Sequence, residues 1–416
     1  LLLRYYNDNN KQMMPMAKRV LLVNKFYYAR GGDCVVALNT ETLLRENGVE
    51  AQMFAMEYPQ NLPAHYQDQF ASRVNFGGGL RNQWQALQRT LGKGDVRDRF
   101  EAVLDDFKPD VVHLHNIHSY LSPVVGELAH KRGIRVVWTL HDYKLLCPRY
   151  DCLLGGKPCE KCFKGAKFNV VAHKCMKESL PASGVAWLEA KKWNRRRLER
   201  NTDVFVCPSE FMASKMIAGG FDPAKVKVLN NFLDPVKLKQ YQELDSGAPR
   251  EDYYCFVGRL SPEKGIEDLL EVASRLPYPL KVAGSGTLEP AMRIKYADCS
   301  NIEFLGILDA PDVADLLAHA RFSIMPSQCY DNNPLSVVES LCAGTPVAGS
   351  QIGGIPELID SSNGIVFQPF DQETLSTAIT MAMSRDWDHA AIARQALQRF
   401  NPETHLQALV SDIYSF

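Results

Sequence analysis

No apolar run in the 416 residues approaches the roughly 18 needed to span a bilayer. There is little net charge either. Lysine and arginine number 47 against 48 acids, a formal charge of -1, which gives no general pull toward nucleic acid or anionic membrane. Low-complexity tracts are missing, and the opening LLLRYYNDNNKQMMPMAKRV is too polar for a signal peptide. Residues 1–15 are read as a tail or upstream start, with the folded chain beginning near Met16. What is present is an ordinary globular composition, 46% apolar and 23% charged, in a chain long enough for two full cores. The expected location is the cytoplasm, where the eleven cysteines stay mostly reduced.

Short apolar runs recur along the first half: KRVLLVN, VEAQMFAM, DVVHLH, IRVVWTL, DVFVCPS and KVKVLNN. Each has the length and continuity of a buried parallel strand, and helical patterns separate most of them. After the first, the loop KFYYARGG leads into a helix-like stretch from Asp33 to Asn47, with Gly48 as its stop. Residues 233–250 are polar and contain Pro, Gly and Ser, so they read as a linker. Beyond it the alternation restarts with YYCFVG, PLKVAGSG, NIEFLG, RFSIMPS, TPVAGS and GIVFQP. The expected fold class is therefore α/β. Two doubly wound, Rossmann-like domains, 16–232 and 251–400, face each other across a ligand-binding cleft.

The stretch SQCYDNNPLSVVES holds two acids, Asp331 and Glu339, between the strand FSIMPS and a helix. Pro334 suits the first turn of that helix and Asn333 its cap. The first-turn N–H groups form an anion site without any side chain. Glu339 lies about 40° round from Leu335, at ~100° per residue, on a partly apolar face where a carboxylate needs hydrogen-bond donors. A ribose diol would supply two. The alternative is that Asp331 caps the helix and Glu339 pairs with a basic neighbour. FVGRLSPEKG places Arg259 and Lys264 at another strand's carboxyl end, where they suit a diphosphate; an ordinary solvated loop is the alternative. Glycines in AGSG, including Gly284 and Gly286, and in GSQIGGIPEL follow strands where backbone must approach a ligand.

GRLSPEKG, GSG and an acid eight residues before a glutamate, followed by AGTPVAGSQIGGIPEL, resemble glycosyltransferase family 4. Its members are retaining, use nucleotide sugars and have the GT-B fold. YYARGGDCVVALNTETLLRENG, PDVVHLHN, TLHDYKLLCP and FVCPSEFMASKMIAGG are similar to the family's first domain, so the likeness runs from about residue 18 to 400. One departure is Asp331, where the family usually has glutamate. The resemblance implies that Arg259 and Lys264 hold the donor diphosphate, with help from Asn332, Asn333, Pro334 and Leu335. It gives Glu339 the ribose and Asp331 the sugar hydroxyls. Gly31 and Gly32 let the first domain approach the diphosphate, and His115 faces the reacting sugar. His118 and His141 fall on the acceptor side. The terminal helix, 401–416, crosses back to the first domain. No metal is then required for catalysis, no side chain is assigned as nucleophile, and the leaving phosphate takes the acceptor's proton.

CPRYDCLLGGKPCEKCFKGAKFNVVAHKC packs five cysteines into residues 147–175. Cys-x2-Cys between outlying cysteines is zinc-like spacing, and the pattern resembles an insertion in one branch of the family. Cys147, Cys159, Cys162 and Cys175 match it best as a structural zinc set; disulfides and free thiols are the alternatives. The insertion follows IRVVWTL and should overhang the acceptor side. WLEAKKWNRRRLER, residues 187–200, reads as a helix with a solvated basic face and inward tryptophans, or as one resting on anionic lipid. The expectation is a hexosyltransferase acting on a saccharide or lipid-linked saccharide in cell-surface polysaccharide synthesis, at or near the inner membrane face. Rival readings are an epimerase or phosphorylase on the same fold, or a non-catalytic nucleotide-sugar-binding subunit.

Overall fold

A computed structural model describes residues 17–77 and 79–415; the expected tail lies outside them. Each of the twelve apolar runs holds a strand. The first domain contains β1 (Arg19–Val23), β2 (Glu50–Phe54), β3 (Val111–Leu114), β4 (Arg135–Thr139), a small hairpin β5 (Leu153–Leu154) and β6 (Lys157–Pro158), then β7 (Val204–Cys207) and β8 (Val226–Val228). The second contains β9 (Tyr254–Val257), β10 (Leu280–Ala283), β11 (Ile302–Gly306), β12 (Phe322–Met325), β13 (Val347–Ser350) and β14 (Gly364–Phe367). The large sheets are wholly parallel, ordered β2-β1-β3-β4-β7-β8 and β11-β10-β9-β12-β13-β14.

Both orders reverse direction beside their first strand. β1 sits between β2 and β3, and β9 between β10 and β12. The loops leaving those strands part to opposite faces, which opens a crevice at their carboxyl ends. Helices cover both faces of each sheet, because a parallel strand such as Val111–Leu114, buried throughout, needs apolar cover on both sides. This is the GT-B architecture.

Two segments differ in detail from the sequence reading. The stretch read as a linker forms the helix Pro235–Glu243, because Asp234 caps it by accepting from the Lys237 amide and Tyr241 is buried in the second core. The basic stretch 187–200 is two helices, Leu180–Lys192 and Arg195–Arg200, since Asn194 caps the second. At the end of the chain, Pro402–Ala408 and the π turn Leu409–Ile413 cross back to the first domain. Leu406, Leu409, Ile413 and Tyr414 join Val20, Leu22 and Val137 in one core cluster. The Tyr414 hydroxyl meets His113 Nδ1 at 2.7 Å, and Arg135 Nε donates to the Ile413 carbonyl at 3.0 Å.

Candidate active site

A cleft of about 1710 Å³ runs between the carboxyl ends of the two sheets. On the second-domain side, Lys264 Nζ lies 2.6 Å from Asp331 Oδ1, each side chain only 17% exposed. The Ser327 hydroxyl donates to the other oxygen of Asp331. Burial alone would depress the Lys264 ammonium, but the Asp331 carboxylate outweighs it and holds the group above the usual lysine range. Arg259 differs: it is 67% exposed, with Glu263 at 3.1 Å, and is free to swing onto a ligand.

The helix Leu335–Cys342 begins at the cleft with Pro334 as its first flank, and no side chain caps it. The expected Asn333 cap is therefore not made. Asn333 instead accepts from the Asn231 amide at 3.1 Å, tying the two domains together, while Asn332 donates to the His141 carbonyl at 3.0 Å. Asn332 Oδ1 and Asn333 Nδ2 are buried without partners. The unsatisfied Asn333 Nδ2 and the open first-turn N–H groups are donors that an anionic ligand would complete, whereas Asn332 Oδ1 needs a donor such as a hydroxyl.

Glycines hold this loop in place, in a way the sequence reading did not foresee. A Cβ at Gly353 would meet the Asp331 carbonyl oxygen at 2.3 Å, and one at Gly354 the Asn332 oxygen at 1.7 Å. Gly284 and Gly286 do not line the cleft. Their Cβ positions fall 1.9 Å from the Gly258 oxygen and 2.2 Å from the Leu260 oxygen, so their task is close packing of one backbone on another.

Glu339 also departs from expectation. It is buried, is paired with Lys237 from the helix Pro235–Glu243, and stands outside the cleft lining. The basic-neighbour alternative describes it in this structure, because Lys237 supplies the cation that a buried carboxylate needs.

On the first-domain side, Gly31 and Gly32 line the cleft at the start of the helix Gly32–Glu46. Asp33, next along, accepts from Asn116 Nδ2 at 2.7 Å and has Lys25 Nζ at 3.6 Å. Burial would raise its carboxyl, but Lys25, His141, Asn116 and the Cys34 amide hold it below the usual range. Sequence reasoning passed over Asp33, Lys25 and Asn116. The only signal was the acid in GGD, which looks like any helix-start acid.

The histidines differ in depth. His115 is 1% exposed and does not reach the cleft. It sits at the carboxyl end of β3, where alternation puts it on the face of His113, beneath His141. The ring that lines the cleft is His141, and burial holds its pKa below the usual histidine value despite Asp33 and Asp142. His118 also lines the cleft, and burial lowers its pKa to about 3.

The Cys-rich insertion reaches the cleft through Arg149, Tyr150 and Asp151. Among the described residues no group of three or more His, Cys, Asp or Glu is placed to hold a metal ion. Cys147 shares a hydrogen bond with Cys152, which lowers the Cys147 thiol to about 6. All eleven cysteines are free. In the basic segment Trp193 is buried and donates to the Thr90 carbonyl at 2.9 Å, and Arg197 pairs with Glu127 at 2.6 Å. Inward packing thus claims part of its charge. No helix among the described residues is long and apolar enough to cross a membrane.

Comparison with known proteins agrees with this geometry. Residues 31–231 match the family model for a glycosyl transferase 4-like domain, and residues 251–385 that for glycosyl transferases group 1. The chain belongs to the family 4-type glycosyltransferases. One relative of this glycosyltransferase is an uncharacterized 42.6 kDa protein in the cps region of Klebsiella pneumoniae, 29% identical over 267 residues, 63% of each chain. The O-antigen chain mannosyltransferase B of Escherichia coli is 28% identical over 172 residues, 39% of this chain and 46% of that one. The matches thus take in less than two thirds of the length of these relatives. The structure of Anabaena HepE in complex with UDP and glucose superposes with a TM-score of 0.62 at 16% identity, covering 96% of this chain and all of that one. At that identity the likeness is one of fold.

Proposed function

We propose that the chain transfers a hexose from a nucleotide-sugar donor, with retention, to a saccharide or lipid-linked saccharide acceptor in cell-surface polysaccharide synthesis. One observation carries the reading: Arg259, Lys264, Asp331 and the uncapped start of the helix Leu335–Cys342 converge on one cleft. Breaking a glycosyl–phosphate bond builds negative charge on the leaving diphosphate and positive character on the sugar ring. Arg259, Lys264 and the first-turn amides answer the diphosphate charge by preorganised electrostatics. Asp331, held by Lys264, orients the sugar. The acceptor attacks from the face that the diphosphate leaves, and a phosphate oxygen takes its proton, so no side-chain nucleophile is needed.

The relatives support the substrate class: one is named as an O-antigen mannosyltransferase, and the HepE structure holds UDP and glucose. Exposed Phe168 packs on Trp187, whose ring Lys191 also faces, and Leu188 of the same helix is exposed; this mixed apolar and basic surface suits a lipid-linked acceptor at an anionic surface.

Mass spectrometry against a nucleotide-sugar panel, followed by kinetics with the donor it identifies, tests the proposal. Arg259→Ala should lose at least ~2 kcal/mol of transition-state stabilisation, about 30-fold in kcat/KM, and chelators should leave the wild-type rate unchanged. An unchanged kcat/KM would remove the diphosphate assignment. Acceptor-independent turnover, a demand for free phosphate, or binding without turnover would each overturn transfer.

A further inference from the structure

His141 faces the cleft with a second imidazole behind it. Its Nε2 lies 3.0 Å from Nδ1 of His115, and the two rings stack with centroids 5.3 Å apart. His115 is 1% exposed, and its other nitrogen, Nε2, has no hydrogen-bond partner. Beneath it lies the His113 ring at 4.3 Å, whose own nitrogens are both occupied, by Tyr414 and Thr139 hydroxyls at 2.7 Å. His113 therefore cannot serve the free nitrogen of His115.

Burial disfavours the charged form of all three rings, so a single proton lies between His115 Nδ1 and His141 Nε2. Two arrangements are open. In one, His115 donates Nδ1–H and its partnerless Nε2 is a bare lone pair. In the other, His141 donates Nε2–H and His115 buries an N–H that nothing accepts. Orphaned buried N–H groups are rarer than under-satisfied acceptors, which selects the first. The hydrogen bond at one ring nitrogen sets the proton at the other.

We infer that His115 is a positioning residue that donates Nδ1–H to His141 and so locks His141 as the Nδ1–H tautomer, making it a fixed hydrogen-bond donor to the cleft rather than a base. If the transfer reading holds, that donor serves a sugar hydroxyl or phosphate oxygen, and proton abstraction is left to the leaving group.

Long-range proton–nitrogen NMR of the full chain labelled with ¹⁵N-histidine tests this without any substrate. His115→Asn and His141→Asn assign the signals by loss. Both wild-type rings should appear as Nδ1–H tautomers, with slow exchange of the His115 proton. In His115→Leu, which cannot donate, the Nε2–H form of His141 should become populated. His115→Asn, whose amide reaches the Nδ1 position, should restore Nδ1–H. An Nε2–H tautomer at His141 in the wild type overturns the inference, as does an unchanged His141 tautomer in His115→Leu. Should the leucine variant fail to fold, the wild-type spectrum and the asparagine variant still decide. Donor turnover plays no part in these readouts, so the tautomer and the transfer reading fail separately.

Discussion

Glycines follow strands in both domains, yet they do opposite things. In the second domain a side chain at Gly354, Gly353 or Gly284 would strike a carbonyl oxygen at 1.7, 2.3 or 1.9 Å. In the first, a Cβ at Gly32 meets nothing within 4 Å. One set fastens backbone on backbone, Gly353 and Gly354 against the Asp331 loop and Gly284 against Gly258; the other leaves room in front of a helix start. A glycine-rich loop in sequence therefore carries two physical meanings, a clamp and a vacancy, and only the contact around the missing Cβ separates them.

Gly354→Ala should show the clamp at its strongest. The new methyl must displace the Asn332 backbone, which costs on the order of 3 kcal/mol or more. Calorimetry should find Tm lower by roughly 6–12 °C, and the shifted Asp331 should depress kcat as well. A neutral result would abolish the distinction between the two sets.

Acid should separate the domains in a second way. His113, His115, His118 and His141 are all buried in the first domain with depressed values, two of them to about 3. Between the unfolded value near 6.5 and those folded values the unfolded chain binds more protons, so stability falls as pH drops through that window. Each such ring contributes up to about 1.4 kcal/mol per pH unit. Melting scans from pH 7 to pH 4.5 should show the first domain giving way before the second, where among the described residues His389, at the start of the helix His389–Arg399, is the one histidine lowered by burial. Simultaneous loss of both would mean the domains unfold as one unit.

Much of this was legible in the chain. All twelve strands of the large sheets were, because continuous Val, Ile and Leu runs between helical patterns leave few alternatives. The cleft position of Lys264, Arg259 and Asp331 was legible because charged residues at a strand's carboxyl end have an expected direction. What was not legible was depth and pairing. His115 and His141 both end strands, but only tertiary packing, with the His113 ring on one side of His115 and the His141 ring on the other, buries one and leaves the other at the cleft. Lys237 reached Glu339 from a stretch read as linker, since a polar helix capped by Asp234 and anchored by Tyr241 lacks a strong apolar pattern.

The crossover itself offers a smaller effect. Tyr414→Phe removes the 2.7 Å partner of His113 and leaves a buried ring nitrogen unsatisfied, a cost of about 1–3 kcal/mol. The loss should appear in the first domain's unfolding, because Tyr414 packs in that core. Destabilisation confined to the second domain would show that the chain's end does not brace the first.

The smallest stability effect belongs to Gly32, and there the vacancy meets its test. Gly32 opens the helix Gly32–Glu46, and an alanine there has both space and good helix propensity. Gly32→Ala should therefore change stability by no more than about 0.5 kcal/mol. Its effect on function should be larger, because the methyl would occupy the space in which a diphosphate approaches the helix start. Donor KM should rise several-fold while kcat changes little, the mark of lost uniform binding. Gly48→Ala serves as the control: it has equal room, but its φ of +81° strains alanine, so it should cost stability and leave donor KM alone. If Gly32→Ala binds donor as the wild type does, the first domain does not approach the phosphates at that turn. The open space in front of the helix would then be no more than an unfilled corner of the cleft.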